Sequence, residues 1–221
     1  MIYNELLSSI SSYSHRNDIA PYLAGFVEQA EAMFNRSLRT PYQEKTAYHP
    51  DIDTEKVAIP SDMLAVRAMV RRADKRVMTN MRPIDYRNYV DDDPLINRSI
   101  NDETVLPAWT TEDMQFRLYP YPTPSDTFSV EILYYAKIPA LSTANQTNWL
   151  MESHPDVYLA QCMLNARRFV NADRDQIAEW KDTVNSGLVS LKTQRLESMT
   201  AQTLKTELGV AGTFDIRTGW M

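Results

Sequence analysis

Leu64-Ala65-Val66-Arg67-Ala68-Met69-Val70-Arg71 is the stretch at which the chain changes its hydrophobic period. Leu64, Val66, Ala68 and Val70 alternate with Ala65, Arg67, Met69 and Arg71, which predicts a strand with one wet face. The same period of two returns at Met114, Phe116 and Leu118, and again at Phe128, Val130, Ile132 and Tyr134. Between those runs, Pro120-Tyr121-Pro122-Thr123-Pro124-Ser125-Asp126 predicts a stiff, projecting connection within an antiparallel pair. Residues 57–59 and 76–78 are shorter strand candidates. Residues 83–90 suggest one or two helical turns, broken by Asp91-Asp92-Asp93.

Outward from this region the period becomes helical. Asn4 is the expected cap of a helix over residues 5–13, with Leu6, Leu7 and Ile10 on one face. Asp18 and Pro21 open a second, whose Leu23, Phe26, Val27, Ala30, Met33, Phe34 and Leu38 form one stripe ending at Thr40-Pro41. On the other side, Ser153-x-x-Asp156 with Pro155 opens a helix apolar nearly all round: Val157, Leu159, Ala160, Met163, Leu164, Ala166 and Phe169. Asp173-x-x-Gln176 caps the next, with Ile177, Trp180, Val184, Leu188 and Leu191 on its inner face. After about Ser198 the pattern turns mixed, and Gly209-Val210-Ala211-Gly212 precedes an aromatic end.

The expected fold is α+β. Residues 1–41 and 138–199 form a helical core, residues 42–137 an inserted antiparallel β-rich region, and residues 200–221 an extended C-terminal tail. The 221 residues, 43% hydrophobic, suffice for a core of roughly 17 Å radius of gyration. No apolar run reaches the roughly 18 residues of a membrane span, and Met1-Ile2-Tyr3-Asn4-Glu5 does not open a signal peptide, so a soluble, unprocessed chain is expected. The single cysteine, Cys162, forbids an intrachain disulfide and fits a reducing cytoplasm.

Composition excludes several chemistries. The five glycines stand at 25, 187, 209, 212 and 219, so neither a phosphate-cradling loop nor a G-x-G-x-x-G turn exists. His15, His49 and His154 are isolated and lack metal-ligand spacing. Cys162 sits among Leu159, Met163 and Leu164 as an inert buried thiol would. Asp51-x-Asp53-x-Glu55 imitates a calcium loop, but Lys56 stands where glycine is needed and Asp62 where the closing glutamate belongs. Asp91-Asp92-Asp93 is a weak candidate for a divalent ion, since exposed acidic runs are usually solvated. No G-x-S-x-G elbow occurs, and no carboxylate is marked for acid catalysis. No cofactor, metal site or catalytic residue is therefore assigned.

The formal charge of −6 has the wrong sign for gripping nucleic acid. Residues 66–87 hold Arg67, Arg71, Arg72, Lys75, Arg76, Arg82 and Arg87 against Asp74 and Asp85, a local 7 − 2 = +5 that leaves −11 elsewhere. Such polarity suits docking between complementary protein surfaces, with Arg71, Arg72 and Arg76 as candidate contacts. Phe214, Ile216, Trp220 and Met221, behind a glycine hinge, are the other candidates, as an arm or added strand on a neighbour.

Two stretches resemble a known family. Ile132-Leu133-Tyr134-Tyr135-Ala136-Lys137-Ile138-Pro139-Ala140-Leu141-Ser142, then Asn145, Thr147-Asn148-Trp149-Leu150 and His154-Pro155-Asp156-Val157-Tyr158-Leu159, are similar to the signature of head-to-tail adaptor (connector) proteins of short-tailed and related bacteriophages. The opening is similar too: Asp18-Ile19, a helix through Glu28 and Glu31, Asn35-Arg36-Ser37-Leu38-Arg39-Thr40, and the step Ile59-Pro60-Ser61-Asp62. The resemblance covers about residues 3–196 and leaves the tail outside. It implies a non-enzymatic virion protein, assembled in the host cytoplasm. It also implies a ring, commonly of about twelve copies, that joins the portal protein to tail or nozzle proteins and lines the DNA channel. The acidic excess suits a conduit through which DNA slides without specific binding. The rival expectations are a stopper or tail-completion neck protein and, from another class, a wall-degrading or metal-dependent enzyme.

Overall fold

The computed structural model describes residues 1–16, 18–91, 106–122 and 127–211. They form mixed helix and sheet and cluster into two compact units, Met1–Tyr42 with Ile138–Met221 and Gln43–Lys137.

In the first unit, α1 (Tyr3–Ser14) buries Tyr3, Leu6 and Ile10. Asn4 does not cap it. The Glu5 carboxylate accepts the Ile2 N–H at 2.9 Å and takes that role from inside the first turn. Asp18 is likewise diverted, held at 2.8 Å by the Arg16 guanidinium, and a 3₁₀ turn at Ala20–Tyr22 containing Pro21 leads into α2 (Leu23–Ser37). The stripe on α2 is buried as its spacing requires, from Leu23 through Phe34 and on to Leu38. Asn148 caps α4 (Trp149–Ser153), its Oδ1 accepting the Met151 N–H at 2.9 Å. His154, in place of Ser153, precedes α5 (Pro155–Val170). α5 is central, burying Val157, Tyr158, Ala160, Cys162, Met163, Leu164 and Ala166, whereas Phe169 at its end stays half-exposed against Tyr22 and Phe26. Asp173 caps α6 (Arg174–Ala211), accepting the Gln176 N–H at 2.8 Å. A Cβ at Gly187 would lie 2.3 Å from Val157 Cγ2, so the glycine is what lets α5 and α6 approach there. α6 passes the expected end near residue 199, because residues 192–208 hold good helix formers and no glycine or proline.

The second unit contains two four-stranded sheets. One is ordered β1 (Glu44–Ile52), β8 (Phe128–Ala136), β3 (Met63–Arg71), β4 (Arg76–Val77). The other is ordered β2 (Lys56–Ala58), β7 (Gln115–Tyr119), β6 (Ala108–Glu112), β5 (Thr79–Asn80). All pairings are antiparallel except β5 with β6. Their inner faces share one core of Ile52, Val57, Met69, Phe116, Leu118, Val130 and Ile132. α3 (Pro83–Asp91) adds Tyr86 and Val90 against Ala108 and Tyr119.

Two expectations are corrected here. The runs at 114–118 and 128–134 are not paired with one another. β7 pairs with β6 and β2, and β8 with β1 and β3, so the two runs belong to different sheets. The true partner of β7 is β6, joined to it through Asp113 and Met114, both with positive φ (53° and 59°), as a two-residue type I′ turn requires. The faces of β3 also change phase along the strand: Val66 stays inward and Arg67 outward as expected, while Met69 and Arg71 turn inward. Its register against β8 slips between Met63 and Ala65 and between Val66 and Ala68. Each extra residue flips the pleat. The core face therefore reads Met63, Val66, Met69, opposite Ala136, Tyr134 and Ile132, and brings Arg71 inward.

Candidate functional site

The residues that carry the sequence signature converge on a buried polar brace in the helical unit. Glu31, only 6% exposed, stands in the apolar stripe of α2 between Val27 and Phe34. Its Oε1 accepts the Leu141 N–H at 2.7 Å and lies 3.5 Å from the Tyr158 hydroxyl. Asn148 donates to that hydroxyl at 2.9 Å and to the Pro139 carbonyl at 2.8 Å, while Asn35 Oδ1 accepts the Ile138 N–H at 2.9 Å. Asn145 closes the loop on itself, donating to the Ala140 carbonyl at 2.7 Å. Burial pushes the Glu31 carboxyl above its ordinary range, opposed by the Leu141 N–H and the Tyr158 hydroxyl. Tyr158 also packs edge-to-face on Phe34 at 5.0 Å, and Trp149 stacks on the exposed Tyr42 at 5.3 Å. The arrangement fixes the segment leading from Ile138 into α4.

A second hub lies in the sheet unit. Asp62 accepts from Lys45 Nζ at 2.8 Å and from the Tyr134 hydroxyl at 3.0 Å, and its carbonyl accepts the Lys137 N–H at 2.7 Å. These bonds tie the start of β3 to β1 and β8 and hold the Asp62 carboxyl below its usual range.

The basic segment does not form a free positive patch. Arg67 pairs with Glu44, Arg71 and Arg76 with Asp74, Arg72 with Glu131, Arg82 with Asp85 and Arg87 with Glu112. Glu44, Glu112 and Glu131 come from outside residues 66–87, so the +5 along the chain is largely neutralised in space. Arg71 is the clearest correction among the proposed contacts. It is 3% exposed, and the Asp74 carboxylate it holds is brought down to about 2. Arg72 is exposed, bonded to Glu131 at 2.7 Å and lying over the Tyr48 ring at 5.2 Å, and Arg76 lies at the surface. Phe214, Ile216, Trp220 and Met221 lie outside the described residues.

The model of the SU10 adaptor protein family matches residues 1–205 of this chain, which includes both hubs and the whole sheet unit. The chain belongs to the SU10 adaptor protein family. None of the curated proteins matches it. As a member of the SU10 adaptor family it is a phage structural adaptor, and the family is not one of enzymes.

The remaining candidates of this adaptor fall into place individually. Glu55, the last carboxylate of the Asp51-x-Asp53-x-Glu55 run, is engaged by Arg117, which also holds Glu112. Among the described residues, no three of His, Cys, Asp and Glu converge as metal ligands, and no helix is long and apolar enough to cross a membrane. Asp92 and Asp93 lie outside the described residues. Cys162 is buried, and burial pushes its thiol well above the usual range. Sequence reasoning on residue chemistry missed Glu31 and Arg117. Glu31 had a usable signal, a carboxylate on the inner face of an apolar helix, while the partners of Arg117 depend on strand neighbours that no local pattern announces.

Proposed function

We propose that this chain assembles into a ring of about twelve copies beneath the phage portal, joins the portal to the tail proteins and lines the channel through which DNA passes. The family match over residues 1–205 carries this reading. The helical unit forms the ring wall, and the sheet unit meets tail proteins. The C-terminal segment with Phe214, Ile216, Trp220 and Met221 attaches to the portal or to the adjacent subunit, and Arg72 and Arg76 contribute at the surface. Arg71 is withdrawn from the contacts, since its charge is spent inside the sheet unit. The braced, glycine-poor body supports repeated rigid contacts of typical interface size, about 1,600 Å² each. The net charge of −6 supports passage of DNA without adhesion.

Electron microscopy of the protein mixed with its portal tests the proposal. A ring seated on the portal is expected, and deletion of residues 212–221 is expected to abolish joining while leaving circular dichroism unchanged. A protein that binds only beneath another neck component, without touching the portal, would be a stopper and would overturn it.

A further inference from the structure

We propose that Met114, at the tip of the β6–β7 hairpin, is an anchor that seats in an apolar pocket of a tail protein. This rests on the reading that the sheet unit meets the tail. Met114 is the most exposed large apolar side chain among the described residues, at 81%. A single exposed apolar residue needs no explanation by itself. This one, however, stands where the backbone resists it. Both turn residues have positive φ, 53° at Asp113 and 59° at Met114. Glycine adopts that conformation freely and aspartate tolerates it, but methionine is held there against a clash between its Cβ and the backbone. The fold does not use the side chain, which stands in solvent. Strain kept at a position that the fold itself does not need points to a use outside the fold.

The tip is built on a stiff base. β6 and β7 keep an unbroken register from Ala108 opposite Tyr119 to Glu112 opposite Gln115, and Trp109 packs edge-to-face on Phe116 between them. Arg117 on β7 holds Glu112 on β6 at 2.6 Å and also Glu55 ahead of β2, and Arg87 on α3 holds Glu112 as well. A backbone fixed in this way loses little freedom when the residue it displays is bound.

The surroundings of the tip select the kind of partner. Its charges are matched within the hairpin's own neighbourhood, Asp113 by Lys56 at 3.6 Å and Glu112 by Arg87 and Arg117. The tip therefore offers an apolar side chain with a balanced rim, which suits an apolar pocket of a protein and gives a phosphate backbone no free cation to meet. The unbranched thioether of methionine adapts to an irregular pocket and is favoured at binding surfaces for that reason.

The test follows Met114 through assembly. Free protein, tailless heads that carry the ring, and complete particles are treated with hydrogen peroxide, and conversion of Met114 to its sulfoxide is timed by peptide mass spectrometry. Thioether oxidation follows exposure, so conversion should be fast in the first two and about tenfold slower or more in the third. Equal rates throughout overturn the proposal. Protection already present in tailless heads also overturns it, because the portal or a neighbouring copy then covers the tip. In phage carrying the variants, Met114→Gly is expected to lower the fraction of heads joined to tails roughly tenfold, while Met114→Leu, which keeps an apolar side chain, retains most of the joining. Hydrogen exchange over residues 108–119 of Met114→Gly should be no faster than in the original protein, so the loss is one of binding. Unchanged joining by Met114→Gly overturns the anchor. Tailed particles in which Met114 stays oxidisable leave the adaptor reading standing and remove only this contact, whereas absence of the protein from tailed particles removes both.

Discussion

The helical and sheet units treat their polar groups in opposite ways. In the helical unit Glu31, the one buried carboxylate among the described residues, is satisfied by neutral partners, the Leu141 N–H and the Tyr158 hydroxyl, inside a largely apolar core. In the sheet unit carboxylates are held by guanidinium groups: Asp74 by Arg71 and Arg76, Glu55 and Glu112 by Arg117, Glu131 by Arg72. The first arrangement fixes a loop at the cost of a desolvated charge, and salt barely reaches it. The second ties strands together from the rim, where screening and acid both act. The difference teaches that the two halves of this adaptor should fail under different insults, and hydrogen exchange measured peptide by peptide can assign each failure to its unit.

The largest effect is expected from Phe34→Ala. Phe34 is fully buried and packs on Tyr158, so its removal leaves a cavity beneath the brace and should cost about 3–5 kcal/mol in urea unfolding. The protection lost should be confined to residues 1–42 and 138–191; equal loss over residues 43–137 would show that the units do not fail separately. Gly187→Ala follows. The added methyl meets Val157 at 2.3 Å, and forcing α5 from α6 should destabilise by about 1–3 kcal/mol. Gly25→Ala, with nothing within 4 Å of the new Cβ, should instead stabilise by about 0.5–1 kcal/mol.

Acid separates the units by sign. The folded pKa of Asp74, about 2, lies below the unfolded value, so its contribution is complete above about pH 4 and is lost as pH falls towards about 2. Glu31 is shifted the other way. Its ionisation opposes folding above its raised folded pKa, and that penalty is relieved as pH falls through it towards the unfolded value. The melting temperature of the helical unit should therefore rise as pH falls through the raised Glu31 value towards the ordinary carboxylate range, while the sheet unit weakens as pH falls from about 4 towards about 2. Glu31→Gln should remove the rise and leave the sheet unit's acid limb in place. A rise that survives the substitution would show that Glu31 is not its source.

The helical unit was the more legible half. From Leu23 to Leu38 and from Ile177 to Leu191 nothing interrupts the helical period, so the buried face follows from spacing alone. In β3 the alternation was real but its phase was not readable. Two register slips make Met63, Val66 and Met69 the inner residues at intervals of three, and no sequence signal marks where a bulge falls. The sheet assignment of β7 failed for a related reason, since partners across a sandwich are set by packing of whole faces. The arginine-rich segment misled because charge was counted along the chain, whereas Glu44, Glu112 and Glu131 reach it from other strands. Among the candidate contacts, Arg72 lies at the surface, whereas Arg71 lies inside the sheet unit beyond those same slips.

The β6–β7 hairpin shows how small a chemical clue can separate the two cases. Its Asp113-Met114 turn needs positive φ at both positions. Aspartate tolerates that conformation, but methionine does so at the expense of a clash between its Cβ and the backbone. Met114 makes little return for this, being 81% exposed. Met114→Gly would complete the Asp-Gly pair that announces such a hairpin. Relief of the clash exceeds the added freedom of glycine in the unfolded chain by a small margin, and the sheet unit should gain about 0.5 kcal/mol. The gain should appear as slower exchange in residues 108–119 with no change over the helical unit. If stability falls instead, Met114 holds a contact that its exposure conceals, and the turn is fixed by that side chain more than by its backbone.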